Sequence, residues 1–205
     1  MKVKEIIEFE EKNHTFDKSI ELRQFVLWNK GISLYYVDND SALAIKILKE
    51  ALSLNSSISK IVHNYSEREF EILNTLAVIY SEINENERSI DYFFEAKNKV
   101  RRKHFKDEKI LIRIDYNMAK VLTRLNRYKE SINICKEGIE KCILNSSMYL
   151  YGELTYQIGH NFELSGYCNK AKKYYEESLS IFKLKQDDNF KEYIEKRIEQ
   201  LFITK

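Results

Sequence analysis

Slim, aromatic and small residues recur along this chain in one register, and the register predicts helices joined in pairs. A slim residue is followed by an aromatic or leucine at +3, a small residue at +12 and a packing residue at +16. The series appears at Ile32/Tyr35/Ala44/Leu48 (with Gly31 adjacent), Ala77/Tyr80/Ser89/Phe93, Ala119/Leu122/Ser131/Cys135 and Gly159/Phe162/Ala171/Tyr175. Whole copies return after 45, 42 and 40 residues. With the helical spacing of apolar positions around them, these landmarks predict helices over about 3–12, 20–37, 40–54, 66–82, 87–103, 107–125, 128–143, 147–165, 168–184 and 187–203.

Turn formers fall where this division needs them. Asp38-Asn39-Asp40-Ser41, Asn84-Glu85-Asn86, Asn126-Arg127 and Ser165-Gly166 sit inside the pairs. Asn55-Ser56-Ser57 and Asn145-Ser146-Ser147 separate successive pairs and are expected to cap the following helix. Gly31, Ala77, Ala119 and Gly159 let paired helices approach closely. A hairpin of this kind cannot bury its apolar face alone, so stacking on neighbours is implied, with a concave groove suited to holding another chain.

Composition agrees with an all-helical chain. There is no proline to break helices among 205 residues, and five glycines stand against 14 tyrosines and 11 phenylalanines. Lysine and arginine total 34 against 32 acidic residues, a net charge of +2, which gives no support to a nucleic-acid-coating surface. No apolar run is long enough for a membrane span, and the N-terminus lacks the apolar core of a secretory signal. An odd set of cysteines, Cys135, Cys142 and Cys168, fits a reducing cytoplasm without a disulfide framework.

The landmarks closely resemble the tetratricopeptide repeat. Trp28, Gly31, Tyr35, Ala44 and Ala51 fit its pattern, as do Leu73, Ala77, Tyr80, Phe93 and Ala96. The resemblance implies an all-α, right-handed superhelix of antiparallel hairpins in one domain over 1–205. Its parts would be a half-repeat at 1–19, repeats at about 20–55, 65–104, 107–144 and 147–184, and a C-terminal capping helix at 187–203. Helix 3–12 reads as the second half of a hairpin whose first helix would precede Met1, as expected of a piece of a longer protein, the alternative being a helix that packs alone as a cap.

In this repeat the inner face belongs to the first helix of each hairpin. Counting from the crossing residues places Val26, Asn29, Lys30 and Ser33 there, then Glu71 and Asn74, then Arg113, Tyr116, Asn117, Lys120 and Arg124, then Glu153, Tyr156, Gln157 and His160. A carboxamide carries both a donor and acceptors, so a series of them can hold an extended peptide backbone whatever its side chains. Tyr116 and Tyr156 would read side chains, while Lys30, Arg113, Lys120 and Arg124 favour an acidic residue or a terminal carboxylate.

Several segments narrow the resemblance. Phe25-Val26-Leu27-Trp28, Leu73-Asn74-Thr75-Leu76-Ala77-Val78-Ile79-Tyr80, Tyr116-Asn117-Met118-Ala119-Lys120, Arg127-Tyr128-Lys129-Glu130-Ser131, Asn145-Ser146-Ser147-Met148 and Tyr156-Gln157 are similar to the peptide-sensing repeat domain of PlcR-type regulators, in the Rap/Rgg/NprR/PlcR group of Gram-positive quorum sensors. That resemblance covers roughly 20–203 and implies a short signalling peptide as ligand, with its backbone held by Asn74 and Asn117. It further implies a homodimer, and contact with DNA only through an N-terminal helix-turn-helix domain that this sequence does not contain. Glu153 stands where a glutamine is expected, which would penalise an acidic ligand side chain nearby, and Phe190 stands where a tyrosine would sit.

Other readings are poorer in support. A generic repeat adaptor docking a partner's tail is the alternative, and a Rap-like phosphatase-type regulator a third. The basic run Lys97, Lys99, Arg101, Arg102, Lys103, Lys106 and Lys109 reads as a solvated helix end. His14, His63, His104 and His160 are scattered, Cys135 and Cys142 read as core, and no metal, cofactor or catalytic motif is present. Tyr174, Tyr175, Phe182, Phe190 and Leu201 would either mediate self-association or complete a monomer's core.

Overall fold

A computed structural model describes residues 19–56, 65–100 and 107–201, together with Glu5, Phe9, Lys12 and Asn13. The half-repeat 1–19, the helix at 3–12 and the middle of the basic run fall largely outside the described residues. Among those described, the chain is all-α: α1 (Ile20–Tyr36), α2 (Ser41–Ser56), α3 (Glu67–Glu82), α4 (Asn86–Lys99), α5 (Lys109–Arg124), α6 (Tyr128–Leu144), α7 (Tyr151–Leu164), α8 (Cys168–Lys185) and α9 (Asp188–Gln200). They form two compact units, Met1–Phe105 with α1–α4 and Lys106–Lys205 with α5–α9. Consecutive helices pack as the antiparallel pairs α1/α2, α3/α4, α5/α6 and α7/α8, and α9 packs on α8.

The turns inside the pairs share one backbone device. Asn39, Asn84, Asn126 and Gly166 adopt left-handed conformations, with φ of 56°, 65°, 58° and 80°. Asparagine and glycine tolerate that region, and the turn lets the next residue's N–H reach back to an orphan helix carbonyl. Glu85 N–H donates to Tyr80 O, Arg127 N–H to Leu122 O and Tyr167 N–H to Phe162 O, each at 2.8 Å. The cap expected from Asn55-Ser56-Ser57 lies largely outside the described residues, and at Asn145-Ser146-Ser147 the outcome differs from expectation. Asn145 Nδ2 donates backwards to Lys141 O at 2.8 Å, closing α6 and not opening α7. Helix α7 starts only at Tyr151, because Leu150 itself takes a left-handed φ of 54°. At α3 a capping box forms: Ser66 Oγ accepts from Glu69 N–H while the Glu69 carboxylate accepts from Ser66 N–H.

The small landmark residues do what their spacing implies. A Cβ on Gly31 would lie 2.5 Å from Leu48 Cγ, and one on Gly159 would lie 2.7 Å from Tyr175 Cδ1. In the first unit Leu27, Ala44, Leu48, Ala51, Ile72, Leu76, Ile79 and Tyr80 form a core cluster, joined by half-buried Trp28. In the second, Ala171, Tyr175, Phe182, Ile194 and Leu201 form one, with Phe190 packed against it. The aromatic residues near the C-terminus are therefore largely consumed in that unit's own core. Cys135 and Cys142 are buried, and burial pushes both thiols above their ordinary range, Cys142 to about 11. Since Tyr175 is fully buried with its hydroxyl tied to Glu163, its ring cannot step aside. Gly159→Ala is therefore expected to cost about 1–3 kcal/mol of stability by overpacking, read as a lower urea midpoint.

Candidate functional site

The first helix of each pair carries the residues singled out from the sequence, and the two units show them separately. In the first unit, Asn74 on α3 keeps only 7% of its surface exposed. Asn29 on α1 is half-buried and donates to Phe25 O of its own helix at 2.8 Å. Beside them Trp28 Nε1 donates to Thr75 Oγ1 at 2.8 Å, and Thr75 in turn donates to Glu71 O. The Arg68 guanidinium lies 4.8 Å from the Phe25 ring centre and 4.6 Å from that of Trp28. Its burial pulls the Arg68 pKa below the usual arginine value. Arg68 thus brings a cation to this part of the unit that periodicity alone did not select.

In the second unit, half-buried Arg113, Tyr116 and Asn117 precede exposed Lys120 and Arg124 on α5. Lys120 Nζ sits 5.4 Å from the centre of the Tyr116 ring. Burial, and then the nearby Glu153 carboxylate, raise the Tyr116 hydroxyl above its ordinary value. Glu153 on α7 pairs with Lys185 Nζ at 3.3 Å, so its charge is offset from within the unit. That pairing weakens the penalty that Glu153 alone would impose on an acidic ligand.

Tyr156 and Phe190 are brought together, but mainly as packing. The Tyr156 ring stacks on Tyr175 at 5.1 Å and meets the Phe190 edge at 6.5 Å, and its hydroxyl lies 3.0 Å from that of Tyr193. Phe190 stacks on Phe182 at 4.5 Å. His160 lies beside Glu163 and Arg197; burial, then the Arg197 charge, lower its pKa, so the neutral imidazole is favoured.

Gln157 departs most from its sequence placement. Only 6% of it is exposed, and its Nε2 donates to Thr123 Oγ1 at 2.8 Å within a buried cluster of Thr123, Ser131 and Asn161. These three were not selected from the sequence. Their signal was present: Ser131 is a repeat landmark, Thr123 follows Ala119 by four residues, and Asn161 follows Gly159 by two.

A cavity of about 450 Å³ in the first unit is lined by Lys49, Tyr80, Arg88, Asp91, Tyr92 and Glu95, none of them a residue assigned to the inner face. Among the described residues no cluster of His, Cys, Asp and Glu is placed to hold a metal ion, and no helix is long and apolar enough to cross a membrane.

Paired helices in a fixed register, with polar residues along the first member of each pair, define the class: a tetratricopeptide-like repeat domain. The model of the RNPP family C-terminal domain matches residues 1–202, and the chain belongs to that family. It is similar to Bacillus thuringiensis PlcR in complex with the peptide PapR7 and DNA, at 25% identity and a TM-score of 0.75, covering 94% of this chain and 67% of that one. Aspartyl phosphate phosphatase F from Bacillus subtilis shares the fold at 18% identity and a TM-score of 0.66, over 87% of this chain and 44% of that one. A Rap protein complexed with competence and sporulation factor does so at 16% and 0.63, over 94% and 52%. The chain thus spans about two thirds of the PlcR chain and about half of these phosphatase and Rap chains. No curated protein sequence matches it significantly.

Proposed function

We propose that this chain is the sensor domain of a cytoplasmic, peptide-responsive transcriptional regulator and binds a short signalling peptide. The observation that carries the reading is the likeness, over 94% of the chain, to a PlcR structure that holds the peptide PapR7. Asn29 and Asn74 in the first unit, and Arg113, Tyr116, Asn117, Lys120, Glu153, Gln157 and Phe190 in the second, are the proposed contacts. The carboxamides would pair with peptide C=O and N–H groups, and Lys120 and Arg113 would favour a carboxylate. Phe190 would present only the part of its ring left free by Phe182. Self-association belongs to this reading too, through surfaces other than the buried rings of Tyr175 and Phe182. The peptide acts on a DNA-binding partner domain only through unequal affinity for two shapes of the sensor.

Affinity selection from a pool of randomised short peptides supplies the probe, and calorimetry with the selected peptide supplies the test. Asn74→Ala and Asn117→Ala are each expected to weaken binding about tenfold or more, the worth of one or two backbone hydrogen bonds, with helical content unchanged. Wild-type affinity in both variants would refute the contact assignment. A chain that ignores every peptide but retains a folded protein partner would be an adaptor instead.

A further inference from the structure

We infer that the buried cluster of Thr123, Ser131 and Asn161 fixes the Gln157 carboxamide with its N–H inward, so that Gln157 offers a bound peptide only its oxygen. Gln157 would then select for an unsubstituted backbone N–H at the facing position of the ligand. The inference rests on the peptide-binding reading and adds to it a positioning set and a rule of specificity.

The argument is a count of hydrogens. Asn161 Nδ2 has two, and lies 2.8 Å from both Ser131 Oγ and the Gln157 backbone oxygen. A backbone carbonyl only accepts, so the Asn161 amide cannot be reversed without setting oxygen against oxygen. Asn161 Oδ1 therefore faces Thr123 Oγ1, at 2.8 Å, as an acceptor. Ser131 sends its one hydrogen to Ala119 O at 2.8 Å. Thr123 has a single hydrogen, and Asn161 Oδ1 at 2.8 Å, Ala119 O at 2.9 Å and Ser131 Oγ at 3.0 Å surround it. A reversed Gln157 would have to draw that hydrogen to its own oxygen and leave Asn161 Oδ1 against Thr123 Oγ1 with none between them. Thr123 Oγ1 therefore meets Gln157 as an acceptor, and Gln157 donates through Nε2 at 2.8 Å.

Burial makes the arrangement costly to violate. Ser131 and Asn161 are fully buried, and Thr123 and Gln157 are 7% and 6% exposed, so two opposed oxygens here would find no water to separate them. Gln157 Oε1 accepts no hydrogen bond among the described residues. Gln157 precedes Gly159 by two residues as Asn117 precedes Ala119, so the two carboxamides occupy matching places in the repeat. The hydrogen bond from Nε2 to Thr123 is what gives the Gln157 carboxamide its direction.

The test uses the full chain. In ligand-free protein, side-chain amide NMR is expected to show one Gln157 Nε2 hydrogen exchanging slowly with solvent in wild type and in Thr123→Ser. In Thr123→Val, which keeps the shape but removes the oxygen, both hydrogens should exchange fast. With the peptide selected from the randomised pool, single backbone N-methylations are then scanned. At one position N-methylation should cost wild type and Thr123→Ser at least about tenfold in affinity, and Gln157→Ala less than about threefold. Equally fast exchange of both Gln157 hydrogens in wild type would overturn the fixed orientation. No N-methyl position whose cost depends on Gln157 would overturn the selection rule. A pool that yields no binder would sink the peptide-binding reading and the selection rule with it, while the exchange measurement would still decide the orientation.

Discussion

Truncation of Phe182 to alanine is expected to lower the stability of the second unit by about 3–5 kcal/mol, a large share of the roughly 5–15 kcal/mol that ordinary domains have. The ring is fully buried and stacks at 4.5 Å on Phe190 of α9. Gly152 of α7 also packs against it, where even a Cβ would come within 2.8 Å of the ring. One side chain thus ties the α7/α8 pair to the last helix, and its loss opens a cavity that Gly152 has no side chain to fill. Phe182→Leu should cost markedly less, and Leu184→Ala, at an 80% exposed position of the same helix, should stay within about 0.5 kcal/mol. Urea unfolding followed by circular dichroism measures all three. Equal midpoints for Phe182→Ala and Leu184→Ala would remove Phe182 from this role.

The hairpins were legible because each rests on local chemistry that a residue type announces. Asn39, Asn84, Asn126 and Gly166 mark turns since few other residues accept a left-handed backbone cheaply. Gly31 and Gly159 mark crossings since a Cβ there would collide with Leu48 or Tyr175. The start of α7 was misplaced for the converse reason. Leu150 takes the same left-handed conformation, but no local rule predicts that of a leucine, so the helix expected from 147 begins at Tyr151. The polar site was half legible. Helical counting puts Asn117, Lys120 and Gln157 on first helices, but it cannot say which of them meets a neighbour. Gln157 reads as a groove residue until its side-chain partner is known, and that partner, Thr123, lies 34 residues away in sequence. Arg68 was missed for the same reason, as its place depends on Phe25 and Trp28 of another helix.

Replacing Glu163 by glutamine is expected to destabilise the second unit by about 1.5–3 kcal/mol near neutral pH, and by more as the solution is acidified. The Glu163 carboxylate accepts from Tyr175 Oη at 2.5 Å and from Arg197 Nε at 3.0 Å, with a second Arg197 nitrogen 3.0 Å from its other oxygen. Glutamine keeps an acceptor for the buried tyrosine but leaves the guanidinium without its counter-charge. The acid dependence follows from His160, whose pKa is lowered from 6.5 by burial and by Arg197, and raised only by Glu163. A histidine with a depressed folded pKa binds fewer protons folded than unfolded. Its contribution is therefore intact above 6.5 and is lost as pH falls through that value toward the folded pKa. Removing Glu163 deletes the one contribution that opposes the depression, so the folded pKa falls further and the loss grows. Urea unfolding at about pH 7.5 and about pH 5.5 reads both effects. Adding His160→Gln to Glu163→Gln should remove the extra acid sensitivity while keeping the neutral-pH cost. An unchanged difference between the two pH values in Glu163→Gln would show that His160 does not titrate against Arg197, and an unchanged stability near neutral pH would show that the contact between α7 and α9 does not depend on the Glu163–Arg197 pair.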